Sequence, residues 1–330
     1  MSDDVKTGSE LDPPELEAAD TRVGEPDSTT HAAGGAGAAA TAVSGGEVVG
    51  QASLWSDAWV ELRRSKLFLV STFFILVLMV MAVFPGLFTG ADPRSCSLGN
   101  SLLEPSADHW FGTDIQGCDY YARTIYGARV SMLVGIFVSA AVVAVAILLG
   151  SLSGYYGGLV DSLITRVTDI WFAIPTILGA IIILSVFDQK GILQVSLVLI
   201  LLGWPTLMRL MRSSVLSVKE MDYVQAARAL GAGDRRIMRR HILPNAVAPV
   251  IVYGTITVGI AIVSEASLSF LGVGLQLPEI SWGLMINEAQ GRVRNDAFLL
   301  FFPAAFLSVA VFSFILLGDA LRDALDPKSR

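Results

Sequence analysis

The side chains able to do chemistry in this chain are few and scattered. The three histidines, His31, His109 and His241, lie far apart along the sequence. No His-Glu-x-x-His or Cys-x-x-Cys spacing occurs, which removes the common zinc arrangements. No Gly-x-x-x-x-Gly-Lys-Ser/Thr string occurs either, so the chain carries no recognisable ATP site of its own. A single carboxylate, Glu265, sits beside Ser264, Ser267 and Ser269 in an otherwise apolar run. Two cysteines, Cys96 and Cys118, share one polar segment. The remaining notable string, residues 219–245, mixes small residues, glycines and arginines. None of this resembles a catalytic constellation, and the elements that carry these residues explain why.

The composition is that of a membrane protein. Of 330 residues, 53% are hydrophobic and only 16% charged, against about 25% charged in soluble domains, and the mean hydropathy is +0.61. Much of the formal charge of −7 belongs to the first 50 residues, where ten acidic side chains face only Lys6 and Arg22. That tail has no aromatic residue and many small ones. Its composition predicts a disordered segment, because it cannot bury enough apolar surface to offset its ordering entropy. Both a regulatory tail and a solvated extension fit it. An acidic start with no apolar run after it does not read as a signal peptide. No basic stripe suggests nucleic-acid binding.

Six apolar runs of about 20 residues predict membrane helices: 67–88, 131–152, 163–187, 192–211, 246–271 and 298–317. The predicted fold is therefore an all-α membrane domain of six transmembrane helices over 67–330. With a cytoplasmic N-terminus, 17 of the Lys and Arg residues fall on inner segments and 6 on outer ones. The positive-inside rule thus places both termini in the cytoplasm and makes 212–245 a cytoplasmic loop. Before the first span, residues 51–66 read as an amphipathic interfacial helix, with Leu54, Trp55, Ala58, Trp59 and Leu62 on one face. Anchoring the first span and packing on a partner subunit are both open readings of it.

Within 219–245, Met221, Val224, Ala227 and Leu230 recur at helical spacing. Gly231 suits the C-cap of that helix. Asp234 suits the N-cap of a second one, and Pro244 can reorient the chain before the fifth span. An apolar stripe flanked by arginines suits docking to another protein. In the spans, Arg166 and Asp169 are three apart and can pair. Glu265, Ser267 and Ser269 can face a polar path through the spans or an interface with another membrane chain, or can be bonded within the bundle. Cys96 and Cys118 fall in an outer loop, where a disulfide is permitted. Two free thiols stay open, and the compartment favours the bond.

The order Gln225-Ala226-Ala227, Gly231, then Leu243-Pro244 resembles the EAA loop of ABC importer permeases. Tyr223, Leu230 and the run Arg240-His241-Ile242-Leu243-Pro244-Asn245 resemble its oligopeptide/dipeptide branch. His109-Trp110-Phe111-Gly112-Thr113-Asp114, Gly154-Tyr155-Tyr156-Gly157-Gly158 and the C-terminal Leu321-Arg322-Asp323 segment agree. Gln225 stands where Glu is usual and His241 where Ile is usual. The resemblance implies a permease subunit, not an enzyme, moving peptides or similar solutes by alternating access. It implies an ATPase-coupling role for Tyr223, Gln225, Ala226, Ala227, Leu230, Gly231, Leu243 and Pro244. It implies as partners a second homologous permease, two ATP-binding subunits that hold ATP and Mg, an extracytoplasmic solute-binding protein and the lipid bilayer. A secondary transporter needs no such loop. An intramembrane enzyme needs paired catalytic groups in the spans, and the sequence has none.

Overall fold

The computed structural model describes residues 59–325. The tail 1–50, and the interfacial stretch as far as residue 58, lie outside the described residues. The described chain is mostly helical, because a helix satisfies its own backbone N–H and C=O groups where no water can. The first span, α1 (Lys66–Val83), opens on Ser65, whose side chain accepts from the Phe68 N–H. The second, α2 (Tyr120–Tyr156), runs 37 residues from an Asp119 N-cap, roughly 55 Å at 1.5 Å per residue. The predicted third span, 163–187, is not one helix. It is two helices, α3 (Gly158–Phe172) and α4 (Thr176–Ser185), bent by 85°. Pro175 stands at the break, where it has no N–H to continue the ladder of α3.

The fourth, α5 (Ile192–Lys219), continues two turns past the predicted end at 211. Then come α6 (Asp222–Ala229), α7 (Asp234–Ile237), a π turn at Met238–Ile242 and α8 (Leu243–Ala246). The fifth span is α9 (Ala248–Phe270), followed by the short α10 (Trp282–Ala289) and by α11 (Phe298–Leu325). Among the described residues, five helices are long and apolar enough to cross a membrane, six if the bent pair counts as one.

Two apolar cores hold the bundle. One joins Val138 and Val142 of α2 to Leu207, Met208 and Met211 of α5. These helices come very close: a Cβ on Gly150 would lie 2.6 Å from Met211 Cβ. Small residues allow such contact where lipid supplies no hydrophobic drive between helices. The second core gathers Leu78 of α1, Met132 of α2, Trp282 of α10 and Phe314 of α11. Leu62, at the end of the short helical stretch before α1, packs on Ala320 and Ala324 of α11. The described end of the interfacial stretch is thus held by this chain itself.

Candidate functional site

The 220–247 loop is built around a closed helix end. Three backbone bonds terminate α6: Leu230 N–H to Ala226 O at 3.0 Å, Gly231 N–H to Arg228 O at 3.0 Å, and Ala232 N–H to Ala227 O at 3.1 Å. The last two are the pair of a Schellman motif, which requires a left-handed residue after the cap. Gly231 supplies it with φ +80, so the sequence reading of this glycine agrees with the backbone. Asp234 does not cap α7. Gly233 is the N-cap, and Asp234 occupies the first helical turn. Its carboxylate instead accepts the Tyr155 hydroxyl at 2.7 Å.

The stripe expected on one face of α6 divides. Val224 is fully buried in the core with Ile237 and Ile242. Leu230 is 89% exposed, while Met221, Tyr223 and Ala226 are exposed and Ala227 half-buried. The reason is the helix length. Met221 and Leu230 are the caps of an eight-residue helix and leave its regular geometry. Val224 anchors the helix, and the exposed residues offer a surface. Partial burial pushes the Tyr223 phenol up from its ordinary value, so the hydroxyl stays protonated. The Tyr223 ring lies 6.3 Å from that of His241, joining the two halves of the loop. Leu243 and Pro244 open α8. The π turn just before Pro244 suits a residue that cannot donate to the carbonyl four positions back.

A chain of polar contacts ties this loop to the spans. Gln225 Nε2 donates to Lys219 O at 3.1 Å. A Glu here, as in the general pattern, has no such proton to give. Lys219 Nζ donates to Tyr155 O at 2.8 Å, and Tyr155 reaches Asp234. Next to it, Arg212 of α5 grips Asp161 of α3 with two bonds of 2.6 Å. The end of α2, the start of α3, the end of α5 and the loop are therefore joined by side-chain hydrogen bonds. In the sequence Tyr155 stands out only as part of a family motif. Nothing local could link Tyr155 to a carboxylate 79 positions away.

The other predicted residues fall elsewhere. Glu265 has no exposed surface. Its Oε1 accepts from Ser269 at 2.8 Å and from Ser281 at 3.0 Å, bracketing α9 to the start of α10. Glu265 and Ser269 thus serve packing within the chain, the alternative to a path or interface position. Ser267 is half-exposed and donates to Val263 O. Asp169 bonds not Arg166 but Arg209 of α5, at 2.6 Å. Cys96 and Cys118 form a disulfide. Beside it, Asp114 and Glu288 hold the buried Arg123 guanidinium, and His109 Nδ1 lies 3.0 Å from Asp119. No group of three or more metal-ligating side chains exists among the described residues.

The described chain is a bundle of apolar helices that holds a short, sharply terminated helix on a polar tether. Residues 146–330 match the family described as binding-protein-dependent transport system inner membrane component, and 53–105 match the N-terminal TM domain of oligopeptide transport permease C. The chain belongs to the binding-protein-dependent transport family of ABC importer permeases, multi-pass membrane subunits and not enzymes. It is 39% identical to the oligopeptide transport system permease protein OppC of Bacillus subtilis, over 84% of this chain and 91% of that protein. It is 40% identical to the dipeptide transport system permease protein DppC of the same organism, over 84% and 87%. Against the glutathione transport system permease protein GsiD of Escherichia coli O157:H7 the figures are 39%, 83% and 90%. A chain of the MetNI methionine ABC transporter, inward facing, superposes with a TM-score of 0.52 at 18% identity, covering 62% of this chain and 96% of that one. At that identity the likeness speaks for the fold.

Proposed function

We propose that this chain is one permease half of an importer for peptides, embedded in the cytoplasmic membrane with both termini and the 220–247 loop in the cytoplasm. It pairs with a homologous permease, two ATP-binding subunits that carry ATP and Mg, and an extracytoplasmic solute-binding protein. The 17 to 6 distribution of Lys and Arg supports the orientation. The names of the relatives, which transport oligopeptides, dipeptides and glutathione, support the solute class.

The observation that carries the mechanism is the tether from α6 through Gln225, Lys219, Tyr155 and Asp234 to the ends of α2 and α5. Tyr223, Ala226 and Leu230 meet the ATP-binding subunit, Ala227 lets the helix approach closely, and Val224 holds it to the bundle. When ATP draws the two ATP-binding subunits together, α6 moves with them. The tether passes that displacement to α2 and α5, and the path opens outward to receive solute. Hydrolysis reverses the motion. The test places a cysteine at Ala226, an exposed position, in the assembled transporter. A crosslink to the ATP-binding subunit whose yield changes with ATP is the expected result. An Ala226→Cys protein that transports normally but never crosslinks to that subunit would refute the docking.

A further inference from the structure

The break between α3 and α4 opens a cavity of about 230 Å³ inside the bundle. Trp171 and Thr176 line it from the two sides of the break, Leu202 and Gly203 from α5, and Thr257 and Ser264 from α9. No charged side chain lines it. Thr257 and Ser264 give their hydroxyl protons to carbonyls of their own helix, Tyr253 O at 2.9 Å and Ile260 O at 2.8 Å. The rest of the lining is mostly apolar, with the hydroxyl-bearing Thr176, Thr206 and Tyr253 among it, so the cavity suits a largely apolar group.

Between this cavity and the 220–247 loop lies a clamp. Arg209 bonds Asp169 at 2.6 Å, and its guanidinium stands 4.1 Å from the centroid of the Phe172 ring. Trp171 Nε1 donates to Leu201 O at 2.7 Å. The last turn of α3 is thus pinned to α5 by an ion pair, a cation–π contact and a hydrogen bond. Arg209 and Asp169 are 46% and 52% exposed, so they stand on a face of the chain and not in its core. Charges within membrane-spanning helices mark pathways.

Along the same α2–α5 seam, away from the loop, lies a larger cavity of about 630 Å³, lined by Leu133 of α2 and Ile192 of α5 and by Asp92, Arg94, Arg129 and Glu279. Val138, five residues after Leu133, already lines the smaller cavity, about 7.5 Å further along the helix. A charged chamber, an apolar chamber and a clamp follow one another along one seam.

We propose that the 230 Å³ cavity is a side-chain subsite on the transport route, taking up an apolar or aromatic side chain of the peptide in passage while the Asp169–Arg209 clamp closes the route toward the loop. This rests on the peptide-importer reading. It goes beyond that reading by assigning selectivity to the permease as well as to the binding protein.

Gly203 gives a clean perturbation. Gly203 lines the cavity, and a Cβ there would meet only Val142 Cγ2, at an ordinary contact distance of 3.6 Å. Gly203→Leu is reconstituted in proteoliposomes with its full set of partner subunits and binding protein. Uptake of Ala-Phe-Ala is compared with that of tri-alanine. The expected result is a loss of at least about tenfold for Ala-Phe-Ala, with tri-alanine within twofold of wild type, which also reports correct folding. No loss for either peptide overturns the proposal. In the wild-type complex during turnover, Ala-(benzoyl-Phe)-Ala should photolabel residues 171–176 or 199–207, and labelling confined to other segments also overturns it. If Gly203→Leu lowers both uptakes equally, the labelling result decides. A wild-type complex that takes up neither peptide removes the importer reading itself, and this proposal with it.

Discussion

Gly231 is where the coupling mechanism can be tested with a known magnitude. Its φ of +80 closes the Schellman end of α6, and a Cβ added there would meet nothing within 4 Å. Any cost of substitution is therefore torsional and not steric. Asn tolerates the left-handed region and should cost only a few tenths of a kcal/mol. Ala should cost about 1 kcal/mol. Val, β-branched and rarely found at positive φ, should cost about 2 kcal/mol or somewhat more. At 1.4 kcal/mol per tenfold, the Val variant loses the closed end by roughly 30-fold relative to wild type. An eight-residue helix has little stability of its own, so it cannot compensate. Membrane insertion should be unchanged, because the loop lies outside the apolar spans. The assay is peptide uptake and ATP hydrolysis in proteoliposomes holding the whole importer, with protein level as control. Uptake should fall in the order Gly, Asn, Ala, Val, while ATP hydrolysis persists or escapes control. Wild-type uptake by Gly231→Val would show that the closed end of α6 transmits nothing.

Tyr155→Phe removes the bond to Asp234 and should weaken the tether by about 1 kcal/mol; more ATP should be spent per peptide imported, and an unchanged ratio would take Tyr155 out of the relay. The Cys96–Cys118 bond spans 22 residues, which corresponds to roughly 3 kcal/mol of loop-closure stabilisation; Cys96→Ser should speed proteolysis within 95–119, and both thiols alkylating without reductant in wild type would contradict the bond. A chain beginning at Gln51 should assemble and transport at wild-type rates, since the acidic tail lacks the apolar residues of a core; complete loss of uptake at normal protein level would assign the tail a task.

Hydropathy and spacing are local quantities, and they determined what depends on local chemistry. The apolar runs announced the spans, because a membrane helix needs only length and apolarity. Gly231 announced a helix end, because positive φ is a property of one residue. The string from Tyr223 to Pro244 announced the family. Tertiary structure decided what depends on two distant segments. The run 163–187 reads as one span with Arg166 and Asp169 near its start, yet it bends by 85° at Pro175, and a cavity lies between it, α5 and α9. Asp169 has a cation three residues away and bonds another forty residues away, because α5 brings Arg209 within 2.6 Å. Glu265 in sequence leaves a path, an interface and a bond within the bundle open, and the hydrogen bonds from Ser269 and Ser281 make it a buried bracket. Val224 and Leu230 belong to one predicted stripe, and only the packing of the bundle turns one inward and leaves the other bare. The sequence alone established a helical membrane permease of this family. Which of its charges pair, and which of its loop residues are buried or exposed, were settled by contacts between segments that no local spacing encodes.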